Sequence, residues 1–147
     1  MARFLVIGFG NPLRSDDAVG WVVARRLSTE LPGDAARVIA AHQLLPEMAE
    51  EVSRAERVVF VDATETGSAG DISEKLVEAS STRTDTHELS PAAILTLAQE
   101  LYGKCPPAHL LTIAGETFET GEQLSASVTE SIPQVIERIK ALLREQA

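Results

Sequence analysis

Residues 3–31 read RFLVIGFGNPLRSDDAVGWVVARRLSTEL, and the reading of this stretch decides the fold class. Arg3–Phe9 is a short, continuous apolar run that ends in glycine, the pattern of a strand buried on both faces. Asp16 or Asp17 then opens a helix running to about Leu31. Val19, Val22, Val23 and Leu27 form its apolar stripe, and Pro32-Gly33 stops it. A two-sided strand feeding a helix is the first half of a right-handed crossover onto a parallel sheet.

The alternation continues along the chain. Ala36–Ala41 reads as a second strand, and Pro46 as the first-turn proline of a short helix that buries Met48, Ala49 and Val52. Arg57–Asp62 (RVVFVD) is a third strand, and Asp71–Val77 alternates as an exposed edge strand. Ser90-Pro91 caps and starts a helix through Tyr102, with Ile94, Leu97, Ala98 and Leu101 on its inner face. Leu110–Ala114 is a further buried strand. A last helix starts near Ser127, where Ser127 and Glu130 have capping-box spacing. It repeats Val128, Ile132, Val135, Ile136, Ile139 and Leu143 at helical period, and Pro133 is expected to bend it. The expected fold is α/β: one domain over 1–147, a three-layer sandwich. Its largely parallel twisted sheet carries helices on both faces and one antiparallel edge strand. Ligands of such sheets sit beyond the carboxyl ends of the strands.

Composition narrows the function classes. At 147 residues the chain has the size of a single domain, and a chain this long buries roughly 68–70% of its unfolded surface. Thirteen Lys and Arg against 22 Asp and Glu give a net charge of −9 and a pI near 4.8. That sign of charge argues against a nucleic-acid platform and against an anionic membrane surface. The single cysteine, Cys105, can form no internal disulfide and no cysteine-rich metal site. No basic leader and no run of ~18 apolar residues stands out, so the expected location is cytoplasmic.

The chemistry-bearing residues fall at strand ends. Gly8-Phe9-Gly10 follows the first strand, but the third glycine of a dinucleotide loop is missing, and two carboxylates follow where a pyrophosphate would sit. Asp16 and Asp17 stand where a helix cap belongs, and one aspartate suffices for that task. Asp62 closes the third strand, as a loop cap or as half of an acidic pair with the first loop. His87 precedes the cap of a later helix, on a connection that can reach the same edge. Two carboxylates and one imidazole make an incomplete shell for a divalent transition metal. There is no HExxH and no GxSxG, and Cys105 lacks the surroundings of an activated thiolate. His109 reads as a core or edge residue, and Asn11 and Thr117 as groups able to bind backbone.

Taken together, Gly8-Phe9-Gly10-Asn11, Asp16-Asp17-x-x-Gly20, Val61-Asp62-Ala63, His87 before a helix and the closing Glu116-Thr117-Phe118…Gly121-Glu122-x-Leu124-Ser125 resemble the nickel-iron hydrogenase maturation proteases. The resemblance runs through essentially the whole chain in the same order. It implies an endopeptidase that removes a C-terminal extension from the hydrogenase large-subunit precursor after nickel insertion. Asp17, Asp62 and His87 are implied as the catalytic, nickel-contacting residues, with the nickel supplied by the substrate. Asn11, Asp16 and His42 are the candidate substrate-binding positions, and His42 also reads as a polar residue flanking a helix. The segment Ala41–Glu50 is similar to the branch serving bidirectional, NAD-linked hydrogenases, and it puts His42 near the second strand's carboxyl end. The implied partner is the nickel-loaded precursor, with no nucleic acid or membrane. The competing reading is a small-ligand or metal-binding module at the same acidic mouth, without protease activity.

Overall fold

In a computed structural model of the chain, which describes residues 4–33, 35–80 and 89–145, the first strand β1 runs Phe4–Phe9 with its four middle residues buried. A 3₁₀ turn at Ser15–Ala18 leads into helix α1, Val19–Glu30. Then follow β2 (Ala36–Ala41), α2 (Met48–Arg54), β3 (Arg57–Thr64), β4 (Ile72–Val77), α3 (Pro91–Tyr102), β5 (Ala108–Ala114) and α4 (Ala126–Arg144). The sheet order is β2-β1-β3-β5-β4. Every pairing is parallel except that of β4, which runs antiparallel along β5 at the edge. The expected α/β sandwich is the observed one.

Successive side chains of a strand point to opposite faces, so β1 feeds two cores. Val6 joins Val59, Val61 and Leu111 under Val23 and Leu27 of α1 and Ile132 and Ile139 of α4. On the other face Leu5 and Ile7 join Val58 and Phe60 under Val52 of α2 and Ile94, Leu95 and Ala98 of α3. Burying a side chain such as Phe60 completely contributes roughly 1.5–3 kcal/mol. The strand order reverses between β1 and β3, which creates a crevice at their carboxyl ends.

Two glycines fix where α1 starts. A Cβ on Gly8 would lie 2.0 Å from the carbonyl oxygen of Gly20, and one on Gly20 would lie 2.3 Å from that of Val61. Helix and strands therefore meet backbone to backbone, and the loop between β1 and α1 is pinned at the mouth of the sheet.

Three sequence expectations shift. Asp16 and Asp17 lie inside the 3₁₀ turn rather than at the cap of α1. The buried side of α3 is Ile94, Leu95 and Ala98, while Leu101 is 63% exposed. Because α3 packs beside α2 as well as on the sheet, its buried side turns toward Leu95, and the last turn is left in solvent. Helix α4 starts at Ala126 with Ser125 as its N-cap residue, so Ser127 and Glu130 form no capping box. It buries Leu142 fully and Leu143 in part, and it continues through the exposed Pro133. Among the described residues no helix is long and apolar enough to cross a membrane.

Candidate active site

The chain leaves β1 through Gly10, where a Cβ would stand 1.9 Å from the carbonyl oxygen of Asp17. The loop thus folds tightly back on the 3₁₀ turn. The backbone N–H of Asn11 donates to Oδ2 of Asp17 at 2.9 Å, and the Asn11 side chain accepts the N–H of Leu13 at 2.9 Å. Asn11 uses its N–H and its side-chain oxygen within the turn and is not among the residues lining the cleft described below.

Asp16, expected to bind substrate, has a different place. It is fully buried. Its Oδ2 accepts the N–H groups of Glu116 (2.8 Å) and Thr117 (3.1 Å), and its Oδ1 accepts that of Ser125 (2.7 Å). Burial pushes the carboxyl up, but these backbone donors outweigh it and hold the group below its ordinary value. Backbone bonds run alongside: Ser15 donates to Gly121 (2.8 Å), Asp16 to Thr117 (3.0 Å), and Gly121 to Leu13 (2.9 Å). The result is a clasp that ties residues 115–125 to the loop after β1. Ser15, at its centre, has a left-handed φ of 50°. A non-glycine residue held there costs of order 1–3 kcal/mol and persists only where its surroundings over-determine it. Here its N–H and its hydroxyl are both bound, the latter to the carbonyl of Glu119 at 2.9 Å.

Beyond the carboxyl ends of β1 and β3 lies an open cleft of about 580 Å³. Arg14, Asp17, His42, Asp62 and Glu65 supply its polar wall, and Phe9, Leu44 and Phe118 are among its apolar residues. Asp62, six residues into β3, accepts the N–H of Ala63 at 2.8 Å through Oδ1. Asp17 and Asp62, read from separate motifs 45 positions apart (62 − 17), therefore meet in one cavity. His42 follows β2 and stands edge-on to Trp21, ring centroids 6.1 Å apart, while Arg25 covers the Trp21 ring at 4.7 Å. His87 lies outside the described residues. Among those described, no three His, Cys, Asp or Glu side chains form a group that could hold a metal ion. His109 sits on β5 beside Glu74 (Nδ1 to Oε2, 3.6 Å) and not in the cleft.

Comparison of the whole structure with solved ones identifies this architecture. The chain superposes on the hydrogenase maturating endopeptidase HybD from E. coli with a TM-score of 0.77 and 22% identity, over 97% of this chain and 92% of that one. The fold is that of the hydrogenase maturation endopeptidases. The nickel-iron hydrogenase maturation protease HycI from Thermococcus kodakarensis gives a TM-score of 0.78 at 22% identity, over 98% and 94% of the two chains. A hydrogenase 2 maturation peptidase from a Thaumarchaeota archaeon gives 0.72 at 23%, over 98% and 99%. No protein-family profile and no curated protein matches the sequence.

On this maturation-endopeptidase fold, the cleft residues that the sequence does not single out include Arg14, Glu65 and Phe118. Arg14 lies within the quoted opening loop, and Glu65 three positions after Asp62. Phe118 lies in the Glu116-Thr117-Phe118 segment, which carried a resemblance but no role. It reaches the cleft because the Asp16 clasp fixes the backbone on either side of it.

Proposed function

We propose that the chain is an endopeptidase of the hydrogenase maturation class, one that removes the C-terminal extension of a nickel-iron hydrogenase large-subunit precursor after nickel insertion. The observation that carries this reading is the convergence of Asp17 and Asp62 in one cleft at the switch point of a maturation-endopeptidase fold. Asp17, Asp62 and His87 act as the metal-contacting set. Their chemistry fits nickel that belongs to the substrate: two carboxylates and one imidazole suit a first-row divalent ion and leave positions for ligands the substrate keeps. In this scheme the nickel marks a mature precursor and docks the scissile bond against the cleft. Asp17 has one oxygen bound to the Asn11 N–H. Its Oδ1 is left to accept a proton from an attacking water. His42, on the cleft wall, contacts the precursor. The reaction belongs in a reducing cytoplasm, where cysteines that hold the substrate's nickel stay reduced.

The test is to incubate the purified protein with nickel-loaded and with nickel-free precursor and to weigh the products. Loss of a C-terminal peptide from the loaded form alone is expected. Cleavage of both forms overturns the role of nickel and keeps the peptidase. An intact precursor in the presence of a protein that binds nickel by itself replaces the peptidase with a metal-binding module.

A further inference from the structure

Hydrolysis in this cleft faces an electrostatic problem. When water adds to a peptide carbonyl, the electron pair of the C=O bond moves onto the oxygen. The wall that receives it carries three carboxylates, Asp17, Asp62 and Glu65. Negative charge developing beside them is disfavoured unless a cation is positioned to meet it.

Among the described residues lining the cleft, one side chain is permanently cationic, that of Arg14. Five other arginines have partners, whereas Arg26 and Arg144 have none among the described residues and do not line the cleft. Arg37 pairs with Glu51, Arg54 with Glu50, and Arg138 with Glu74; Arg57 donates to the carbonyl of Leu142 and Arg25 lies on Trp21. The guanidinium of Arg14 has no hydrogen bond or ion pair among the described residues, although it shares a cavity with three acids. Its backbone, by contrast, is fixed: its N–H donates to Asn11 at 3.1 Å, its carbonyl accepts from Asp17 at 3.1 Å, and it bridges Gly121. The left-handed Ser15 sends the next residue, Asp16, into the interior, while Arg14 and Asp17 on either side remain at the cleft. The strained turn thus presents a guanidinium and a carboxylate together.

We propose that Arg14 contacts the scissile carbonyl oxygen and stabilises the oxyanion formed there, an inference that rests on the endopeptidase reading. Water supplies the hydroxyl that bonds to the carbonyl carbon. Its proton passes to a cleft carboxylate and then to the leaving amine as the C–N bond breaks and the electron pair on oxygen re-forms the carbonyl. Arg14 stays protonated throughout and donates N–H bonds to the oxygen alone.

Single-turnover cleavage of nickel-loaded precursor by Arg14→Gln and Arg14→Lys tests this. For Arg14→Gln the rate constant is expected to fall about 10²–10³-fold. The half-saturating precursor concentration should stay within about 3-fold, because the contact gains most of its strength as charge develops on the oxygen. Arg14→Lys should recover part of the rate, since it keeps the charge but not the planar fork. The thermal midpoint should not move, because the side chain is exposed. Wild-type rates in Arg14→Gln, or a loss confined to half-saturation, overturn the role of Arg14 while leaving the peptidase standing. A precursor left intact by the wild-type protein overturns the peptidase reading and this one with it.

Discussion

The carboxylate of Asp16 accepts three backbone N–H groups and is cut off from solvent, whereas that of Asp17, the next residue, accepts one and lines an open cleft. The same side chain thus serves two ends. Where donors converge from a distant segment, a carboxylate is saturated and holds the fold. Where coordination is left open, it can meet a ligand. Asp62 is the second acid on the same cleft.

Substitutions at the two kinds of site should separate activity from stability. The largest effect is expected for Asp17→Asn and Asp62→Asn. Each should slow processing of the nickel-loaded precursor by roughly 10²–10⁴-fold, the scale for removing a positioned acid–base or ligand group, with the thermal midpoint little changed. Normal processing by either variant breaks the contrast. Asp16→Ala should do the reverse. Leaving three buried N–H donors without an acceptor costs about 3 kcal/mol, read as a lower denaturant midpoint, and activity should fall only as the clasp loosens.

Acid sharpens the same comparison. The Asp16 carboxyl is held below its ordinary value of 3.8 in the folded chain, so on acidification the unfolded chain takes up that proton first. Its contribution to stability is whole above the ordinary carboxylate range, shrinks as the pH falls below 3.8, and vanishes under the lowered folded value. Glu74 follows the same sign, lowered chiefly by its hydrogen bond from Arg138. Unfolding midpoints measured down the acid range should therefore fall less steeply in Asp16→Asn than in the wild type. Glu74→Gln should flatten the curve less, because solvent screens its partly exposed pair with Arg138. Equal slopes in all three proteins would remove Asp16 from the account.

What was legible in the sequence follows from how local each determinant is. The limits of β2 are as read because apolar runs and turn residues act within a few positions. The two-sided burial of β1 and the edge position of β4 came from the same kind of pattern. Asp17 and Asp62 could be placed on one edge because strand order governs where strand ends meet. The start of α4 was read to within a residue, but its cap was not, since the N–H of Ser125 is held by a carboxylate 109 residues earlier in the chain. The role of Arg14 is not legible in the sequence for a related reason. Nothing in the string PLRSDD reveals that Ser15 adopts a left-handed φ and turns the middle of the tripeptide Arg14-Ser15-Asp16 through the rim.

The smallest expected effect concerns how the two helices that bracket β5 are capped. Ser90 caps α3 with its own hydroxyl, which accepts the N–H of Ala93 at 3.1 Å. Ser125 occupies the N-cap position of α4 but makes no side-chain cap, and its hydroxyl is buried without a hydrogen-bond partner, while its N–H goes to Asp16. Removing the Ser90 hydroxyl (Ser90→Ala) should cost about 1 kcal/mol. The Ser125 hydroxyl makes no well-aligned hydrogen bond and adds only the last of the pulls that lower the Asp16 carboxyl, so Ser125→Ala should change stability by less than about 0.5 kcal/mol in either direction. In the Asp16→Asn background the N–H of Ser125 meets a weaker acceptor, and the two substitutions should not simply add, because the Ser125 hydroxyl also acts on the Asp16 carboxylate. A Ser125→Ala loss as large as that of Ser90→Ala would mean that the hydroxyl, and not Asp16 alone, holds the start of α4.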